Sequence, residues 1–365
     1  MYEQTTIREV LWKKHIRHRL LKMDAEEALT ALLEWLERAQ RDPITAEIIK
    51  CIYGENQHAD APVRIGNKYH GLLLRNRVGI PAGFTKRAIA LCALDDMGVG
   101  SIEIGTLTPR PQPGNQKPRV HIDFREAEEL FIPNNWFGFN CEGGVDEPVQ
   151  RVQRLWDELG RDRIRATLIW SFGPNKTTID RFEETRDLQL IVDDILYAVM
   201  RAMPVLRDGD ALQFNVASPN TPGLRKLFEY FGDLLPAILV GIQAIAAFYH
   251  MANPPAVLIK LSPYMPEDQL RQVVRIAASH NEVVALEAFN TTVDKDVREK
   301  YGITVPGGTS GDGLRNLAQK KTVVLHKIIE EEKLDIDIIG VGGIMEPRHA
   351  LDRLAVGVRV KAVQV

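Results

Sequence analysis

The segment from Phe214 to Arg225 holds the densest group of side chains that could carry out chemistry. It follows an apolar run, Ala211 to Val216, that is typical of a buried strand, and it contains Asn215, Ser218 and Asn220. Ligands of α/β proteins bind at the carboxyl ends of parallel strands, because the loops there vary while the sheet stays rigid. Paired amides offer donors and acceptors to a small planar polar ligand. Ordinary turn residues would give the same pattern, so this segment alone does not establish a site.

Two lysines stand where a ligand could use a positive charge. Lys86 follows Ala82 and Gly83, two small residues that let a flat ring approach the backbone. Position alone is equally compatible with a solvated Lys86 at the start of a helix. Lys260 lies inside the apolar run Leu258–Pro263. Burial of an unpaired charge is costly, so Lys260 is expected to meet a paired acceptor or a polar cavity, which favours a functional role.

Four further segments place polar or flexible residues after apolar runs. A long irregular excursion begins at Glu103–Asn115 and ends at Asn135–Asn140, and loops of this length in compact domains are usually functional. Asn290–Thr292 supplies another amide and two hydroxyls. Gly340–Gly343, preceded by the flexible loop Gly307–Gly311, could bind a phosphate through backbone N–H groups.

These motifs resemble those of a known family. Residues 215–225 read Asn-x-x-Ser-Pro-Asn-Thr-x-Gly-Leu-Arg, and residues 105–119 read Gly-Thr-x-Thr-Pro-x-Pro-Gln-x-Gly-Asn-x-Lys-Pro-Arg. Gly138-Phe139-Asn140 completes a third motif. In this order, from about residue 63 to 365, they are similar to the motifs of class 2 dihydroorotate dehydrogenases, which use a serine base.

The resemblance implies an activity and a set of residues. FMN would lie across the barrel mouth, Ser218 would take the C5 proton of dihydroorotate while hydride leaves C6, and a quinone would accept the electrons. The implied cofactor-binding residues are Ala82, Gly83, Lys86, Thr106, Ser171, Asn215, Lys260, Thr291, Gly311, Gly342 and Gly343. The implied substrate-binding residues are Lys86, Asn135, Trp136, Phe137, Gly138, Phe139, Asn215, Asn220, Asn290 and Thr291. No metal is expected.

The elements that must position these residues read as a TIM (β/α)8 barrel. Eight apolar runs alternate mostly with helix-like segments, which favours a closed parallel barrel over an open doubly wound sheet, since no Gly-x-Gly-x-x-Gly turn follows the first run. The predicted strands are Val78–Ala82, Ser101–Gly105, Ala166–Phe172, Ala211–Ala217, Ala256–Leu261, Val283–Ala288, Ile336–Val341 and Val360–Val365. The predicted helices are Lys86–Met97, Glu147–Leu159, Asp187–Met203, Phe228–Met251, Pro266–His280, Arg315–Glu332 and Pro347–Leu354.

The N-terminal region predicts a small α-helical extension. A basic amphipathic helix over Ile7–Met23 precedes a second helix, capped by Asp24 and ended by Pro43. The apolar face of the second helix comprises Ala28, Leu29, Leu32, Leu33, Trp35, Leu36 and Ala39. Such a pair can lie on an anionic membrane, or can pack on the barrel as a plain hairpin. The resemblance favours a membrane-associated quinone tunnel, and hence a peripheral protein on the cytoplasmic face of the cell membrane.

The expected organisation is therefore an extension over residues 1–45, a linker and β-hairpin over 46–76 and an FMN-binding barrel over 77–365. The 365 residues are 45% hydrophobic and 26% charged, with a formal charge of −3, which gives no support for nucleic-acid binding. Three widely spaced cysteines match no zinc pattern and favour a reducing compartment. No run approaches the ~20 apolar residues of a membrane span, and no signal peptide is recognisable.

Some positions depart from the family pattern. Thr85, Trp136, Ser171 and Phe289 replace residues typical of it, and the family's Tyr-Ser pair and final helix do not follow Gln364. The last predicted strand should then leave apolar surface uncovered, unless the chain is truncated or another element covers that face. Two other functions stay open: a paralogue that has lost flavin binding, and a flavin oxidoreductase acting on a different small planar acid.

Overall fold

A closed barrel of eight parallel strands forms the centre of the molecule. The computed structural model describes residue 19, residues 22–50 and residues 61–365. The eight strands, labelled by their order in the whole chain, are β3 (Val78–Ile80), β4 (Ser101–Leu107), β7 (Thr167–Phe172), β8 (Ala211–Phe214), β9 (Ala256–Lys260), β10 (Val283–Ala288), β12 (Asp337–Val341) and β13 (Val360–Gln364). They follow one another around the barrel in this order, and β13 pairs with β3 to close it. The predicted TIM barrel is confirmed.

The strands are buried on both faces, which explains why they read as continuous apolar runs. Every residue of β4, β7, β9, β10 and β12 is buried, as expected for parallel strands covered by helices. The connecting helices are α3 (Leu91–Asp96), α4 (Asp146–Leu159), α5 (Lys176–Thr185), α6 (Gln189–Ala202), α7 (Phe231–Phe248), α8 (Glu267–Ala278), α9 (Lys295–Tyr301), α10 (Asp312–Glu331) and α11 (Pro347–Leu354). Strand β8 is shorter than predicted, because residues 215–217 already belong to the loop that carries Ser218.

The N-terminal extension packs on the barrel. Helix α1 (Ala25–Ala39) begins at Asp24, whose carboxylate accepts from the N–H groups of Glu26 and Glu27, so the predicted cap is confirmed. Pro43 does not end this helix; it starts a second one, α2 (Pro43–Ile49), because proline suits the first turn of a helix. The predicted helix over Ile7–Met23 lies outside the described residues except at its end.

The apolar face of α1 is divided between the barrel and solvent. Its residues Ala28, Leu33, Leu36 and Ala39 are buried, whereas Trp35 is 52% exposed. The predicted hairpin follows: β1 (Val63–Gly66) pairs antiparallel with β2 (Gly71–Leu74).

Sequence patterns missed a small sheet and misplaced one helix. The long excursion after β4 contains β5 (Val120–Arg125) and β6 (Leu130–Asn135), and β6 pairs with β11 (Gly308–Thr309). The predicted helix Lys86–Met97 begins only at Leu91, because Ala88 and Ala90 have positive φ and the Thr85 hydroxyl donates to the carbonyl of Ile89.

One expectation about apolar surface is corrected. The segment Leu224–Phe248 is long and apolar enough to span a membrane by length and composition, although no such run was expected. In the fold it includes α7, whose residues Leu235, Ile238 and Ile242 are buried in the main core. The last strand, expected to leave apolar surface uncovered unless another element covers it, has Val360, Ala362 and Val363 buried.

Candidate active site

A cavity of about 110 Å³ lies at the carboxyl ends of the barrel strands. The ends of β4, β6 and β9 and the segments after β3, β6, β8 and β10 contribute to its wall, as the TIM-barrel architecture leads one to expect. All fourteen residues that line it were candidates from the sequence: Ala82, Gly83, Lys86, Thr106, Asn135, Phe137, Gly138, Phe139, Asn215, Ser218, Asn220, Lys260, Asn290 and Thr291. Residues separated by more than 200 positions in the chain are therefore brought to one place.

The amides in this cavity are partly paired with one another. Asn220 Nδ2 donates to Asn135 Oδ1 at 2.7 Å, and Asn290 Nδ2 donates to Asn215 Oδ1 at 3.2 Å. Two buried atoms, Asn220 Oδ1 and Thr291 Oγ1, have no partner within the described part of the chain. Buried polar atoms normally find a partner, so these two point to a polar ligand or ordered water.

Ser218 lies in the wall of the cavity and is only 6% exposed. Its hydroxyl oxygen accepts from the backbone N–H of Asn220 at 3.3 Å. This turn holds the side chain in place and leaves the hydroxyl proton free to point elsewhere. The geometry suits a proton carrier that works beside a bound ligand.

Lys86 has a strongly perturbed environment. Its ammonium group bonds to Asn140 Oδ1 and lies 3.6 Å from the centre of the Phe137 ring. Burial, followed by the nearby charge of Arg119, lowers the pKa of Lys86 to about 7. A bound anion would stabilise its charged form, so Lys86 is suited to contact an anionic ligand.

Beneath the cavity, Lys260 sits between two buried carboxylates. Its Nζ lies 3.5 Å from Glu103 Oε1 and 3.5 Å from Glu287 Oε2. Both glutamates are fully buried, and burial together with the charge of Glu287 raises the pKa of Glu103 well above its usual range. One cation is thus shared by two buried acids.

Sequence reasoning found Lys260 but missed its partners. Glu103 and Glu287 each stand inside an apolar strand, which is the signal that singled out the lysine. Two acids and one base buried in separate apolar runs predict a mutual contact, because none of them can be buried alone.

Five candidates do not line this cavity. Ser171 is fully buried below it and donates to Gln213 Oε1 at 2.6 Å. Trp136 makes a backbone hydrogen bond to Arg119 in the neighbouring loop. Gly311 lies beside Phe131 and Pro133, where a Cβ atom would come within 2.3 Å of the Phe131 carbonyl. The other two, Gly342 and Gly343, follow β12.

Gly343 lines a separate basic pocket of about 350 Å³. Arg315, Arg348 and Arg353 contribute to this pocket, together with the acidic Glu346 and Asp352. Arg353 is buried and donates to the carbonyls of Val341 and Gly342, at 3.1 Å each, and burial lowers its pKa to about 10. The guanidinium groups and the adjoining loop provide donors of the kind that phosphate prefers.

A third cavity, of about 460 Å³, lies between α1 and the barrel. Leu29 and Leu33 of α1 face Phe84 and Ile89 of the barrel across it. Its inner end is formed by Gly83, Lys86 and Phe137, which also line the cavity of Ser218. The helix is fixed over this space by Arg119, whose guanidinium bonds to Glu26 at 2.7 Å.

The fold and cavity are those of a TIM-barrel protein with a ligand site at the carboxyl ends of its strands, and a buried serine, a lysine paired with acids and a covering helix surround this site. Among residues 19, 22–50 and 61–365, no three His, Cys, Asp or Glu side chains are grouped so as to hold a metal ion. The family model for dihydroorotate dehydrogenase matches residues 65–365. The chain therefore belongs to the dihydroorotate dehydrogenase family, as the motifs indicated.

Individual relatives agree with this assignment. The chain is 34% identical over 344 residues to a dihydroorotate dehydrogenase (quinone) of Teredinibacter turnerae, covering 93% of this chain and 90% of the relative. It is 35% identical to the enzyme of the same name from Citrobacter koseri, covering 94% and 91%. A crystal structure of dihydroorotate dehydrogenase in complex with ferulenol, from Eimeria tenella, superposes with a TM-score of 0.66 at 26% identity, covering 89% of this chain and 86% of the other.

Proposed function

We propose that this protein oxidises dihydroorotate to orotate, with FMN as cofactor and a quinone as electron acceptor, in pyrimidine biosynthesis. The observation that carries the proposal is the single cavity in which Ser218, Lys86 and the four amides of Asn135, Asn215, Asn220 and Asn290 meet. Relatives that share about a third of its residues over more than nine-tenths of the chain carry the name of this activity.

The residues present fit FMN and a planar acid. The two unpartnered atoms, Asn220 Oδ1 and Thr291 Oγ1, await polar atoms of a ligand. Lys260 places its ammonium in the floor of the cavity, and Gly343 with the neighbouring arginines would hold the phosphate. Bound FMN supplies a two-electron acceptor for the hydride that leaves C6 of dihydroorotate.

The protein's own contribution is binding, orientation and proton transfer. The amides and Lys86 hold the acid and its ring oxygens, while Ser218 receives the proton from C5. A serine hydroxyl is a weak base. It must therefore release its own proton to water or a neighbouring group as it accepts the proton from C5.

A visible absorption spectrum of the purified protein tests the proposal. Flavin absorption should be present and should bleach when dihydroorotate is added without oxygen. A protein that is colourless and cannot be loaded with FMN would support the paralogue without flavin. Bound flavin that bleaches with another dihydropyrimidine acid, and not with dihydroorotate, would support the altered substrate.

We further propose that the cavity under α1 admits the quinone. Its wall includes Leu29, Leu33 and Phe84, and it ends at residues shared with the inner cavity, so electrons need cross only that common wall. Charged residues such as Glu34 and Arg87 also line it, and its apolar part suits the ring and isoprenoid tail of a quinone.

Leu29→Trp should obstruct this channel. We expect the KM for a long-chain quinone to rise about tenfold or more, since a larger side chain occupies the path, while flavin reduction by dihydroorotate stays unchanged. Leu32→Trp is the matched control, because Leu32 is a half-buried leucine of the same helix that does not line the cavity. Equal quinone kinetics in both variants would refute the channel.

Association with a membrane surface is proposed for the same extension. Trp35, Ile44 and Ile48 of α1 and α2 are 52%, 71% and 50% exposed, and exposed apolar groups on helices favour the lipid interface. The basic segment before residue 19 lies outside the described residues. The cytoplasmic face of the cell membrane remains our expectation for the location.

Replacement of Trp35, Ile44 and Ile48 together by serine should reduce binding to phosphatidylglycerol vesicles by about tenfold or more, because each loses its apolar transfer energy. Cosedimentation measures this. The control replaces Val240, Phe248 and Leu351, which are 66%, 74% and 66% exposed on barrel helices. Undiminished vesicle binding by the first variant would show that these helices serve only to cover the barrel.

A further inference from the structure

A continuous chain of side-chain hydrogen bonds runs from the buried Glu287 to the amides of the cavity. Its links are Gln213 Nε2 to Glu287 Oε2, Ser171 Oγ to Gln213 Oε1 at 2.6 Å, Thr106 Oγ1 to Ser171 Oγ at 3.1 Å, Asn215 Nδ2 to Thr106 Oγ1 at 2.8 Å and Asn290 Nδ2 to Asn215 Oδ1 at 3.2 Å. Glu287, Gln213 and Ser171 are fully buried. Bulk solvent therefore does not reach these three side chains.

The direction of this chain follows from its last member. An ionised carboxylate can only accept, so Gln213 must turn its NH₂ group to Glu287 and its carbonyl to Ser171. The Ser171 hydroxyl then donates to Gln213 and accepts from Thr106. Because a hydroxyl has one proton, Thr106 accepts in turn from Asn215, and every donor points toward Glu287.

Backbone groups at the far end agree with this direction. The N–H of Ala217 donates to Asn215 Oδ1 at 3.3 Å, and the N–H of Thr291 donates to Asn290 Oδ1 at 2.8 Å. A backbone N–H cannot accept, so each of these contacts independently places an amide oxygen where the chain requires one.

Glu287 is held at the end of this chain by its neighbours. Lys260 Nζ lies 3.5 Å from Glu287 Oε2, the oxygen that also accepts from Gln213 Nε2. In this ion pair Glu287 is the acceptor for both neighbours.

We propose that Glu287 is a positioning residue that, together with the backbone N–H groups of Ala217 and Thr291, sets the direction of this chain, so that Asn215 and Asn290 present N–H donors to the ligand. The inference rests on the proposed function, because the ligand oxygens that these donors meet are those of dihydroorotate and orotate. Each amide has one N–H outside the chain, whereas its oxygen is already engaged. Asn220 is the reverse, since its Nδ2 is used by Asn135 and its Oδ1 is unpartnered.

The complementary pattern confers specificity. Two donors at Asn215 and Asn290 select oxygen atoms on one part of the ligand, and the acceptor at Asn220 selects an N–H elsewhere. An amide that could flip would offer a carbonyl to a ligand carboxylate, which leaves two acceptors facing each other. A fixed direction excludes that arrangement before the ligand arrives.

Glu287→Gln in the FMN-loaded enzyme tests this, with orotate as the probe and its Kd measured by calorimetry. Glutamine can donate as well as accept, so the buried end of the chain no longer imposes a direction and only the backbone contacts at the other end remain. We expect the Kd to rise about tenfold. Glu103→Gln is the matched control. Glu103 is equally buried and equally far from Lys260, but it is not in the chain, so its Kd should stay within about threefold of the parent value.

A double-mutant cycle distinguishes positioning from a general loosening of the core. Ser171→Ala interrupts the chain without changing any charge, and it should raise the Kd by a similar factor. In that background Glu287→Gln should have no further effect, because the interrupted chain no longer transmits it. Independent, multiplying effects of the two substitutions would overturn the proposal. If Glu287→Gln does not fold, an unchanged Kd in Ser171→Ala would also overturn it.

The outcomes for the parent and the variant are separable. A parent holoenzyme that does not bind orotate overturns the proposed function together with this inference. A parent that binds orotate, with Glu287→Gln binding it equally well, overturns the positioning role alone and leaves the activity untouched.

Discussion

Ser218→Ala should slow flavin reduction by dihydroorotate by roughly 10²–10⁴-fold, the usual contribution of a positioned proton carrier. The effect should appear in the rate at saturating substrate, because the proton moves in the transition state and little binding is lost. Orotate should still bind, since the surrounding amides are unchanged. Stopped-flow absorbance of the flavin measures the rate, and calorimetry measures the affinity.

Ser262→Ala is the matched control for this substitution. Ser262 is 4% exposed and its hydroxyl accepts from the N–H of Tyr264 at 3.2 Å, which repeats the local geometry of Ser218. It does not line the cavity, so its variant should reduce flavin at the parent rate. A parent rate in Ser218→Ala would exclude that residue as the proton carrier.

Lys260→Met should destabilise the protein by about 3–5 kcal/mol at neutral pH, because it leaves Glu103 and Glu287 buried without a cation. This loss of stability should be smallest at acidic pH. Burial raises the pKa of Glu103 in the folded state above its unfolded value of 4.5, so stability is lost as pH rises above about 4.5 and the unfolded chain releases protons. Urea unfolding at several pH values measures this trend.

A second substitution should recover much of that loss. In Lys260→Met the additional change Glu287→Gln removes one of the two uncompensated acids, so the double variant should be more stable than the single one near neutral pH. Flavin retention should stay low in both, because the ammonium in the cavity floor is absent. A single variant as stable as the parent at every pH would show that Lys260 is not the counter-charge.

The barrel could be predicted from the chain because parallel strands buried on both faces leave long apolar runs. Strand β10 was predicted at its observed limits, Val283–Ala288, and so was helix α11, Pro347–Leu354. The sheet of β5, β6 and β11 could not be predicted, because it lies in a polar, irregular part of the sequence and because β11 pairs with β6 from a distant segment of the chain. Local backbone geometry at Ala88 and Ala90 shortened α3, and no periodicity signals such a break.

The residues of the site could be predicted from the sequence, whereas the hydrogen bonds that link them could not. Asn215, Ser218 and Asn220 were visible as polar groups after an apolar strand, and family motifs supplied the rest. The links from Asn215 through Ser171 to Glu287 were not visible, because they depend on which side chains of four separate strands face the barrel axis at the same height. Ser171 therefore read as a direct contact, whereas it lies one layer deeper.

Closure of the barrel by β13 against β3 has a consequence for biosynthesis. Val363 and Gln364 pair with Val78 and Gly79. Strand β3 therefore cannot form this pairing until nearly all of the barrel has been translated. Until then both β3 and β12 present open edges of apolar parallel sheet, which other chains can pair with. We therefore expect the nascent protein to expose these edges until the last barrel strand is available, and holding chaperones would act during that interval.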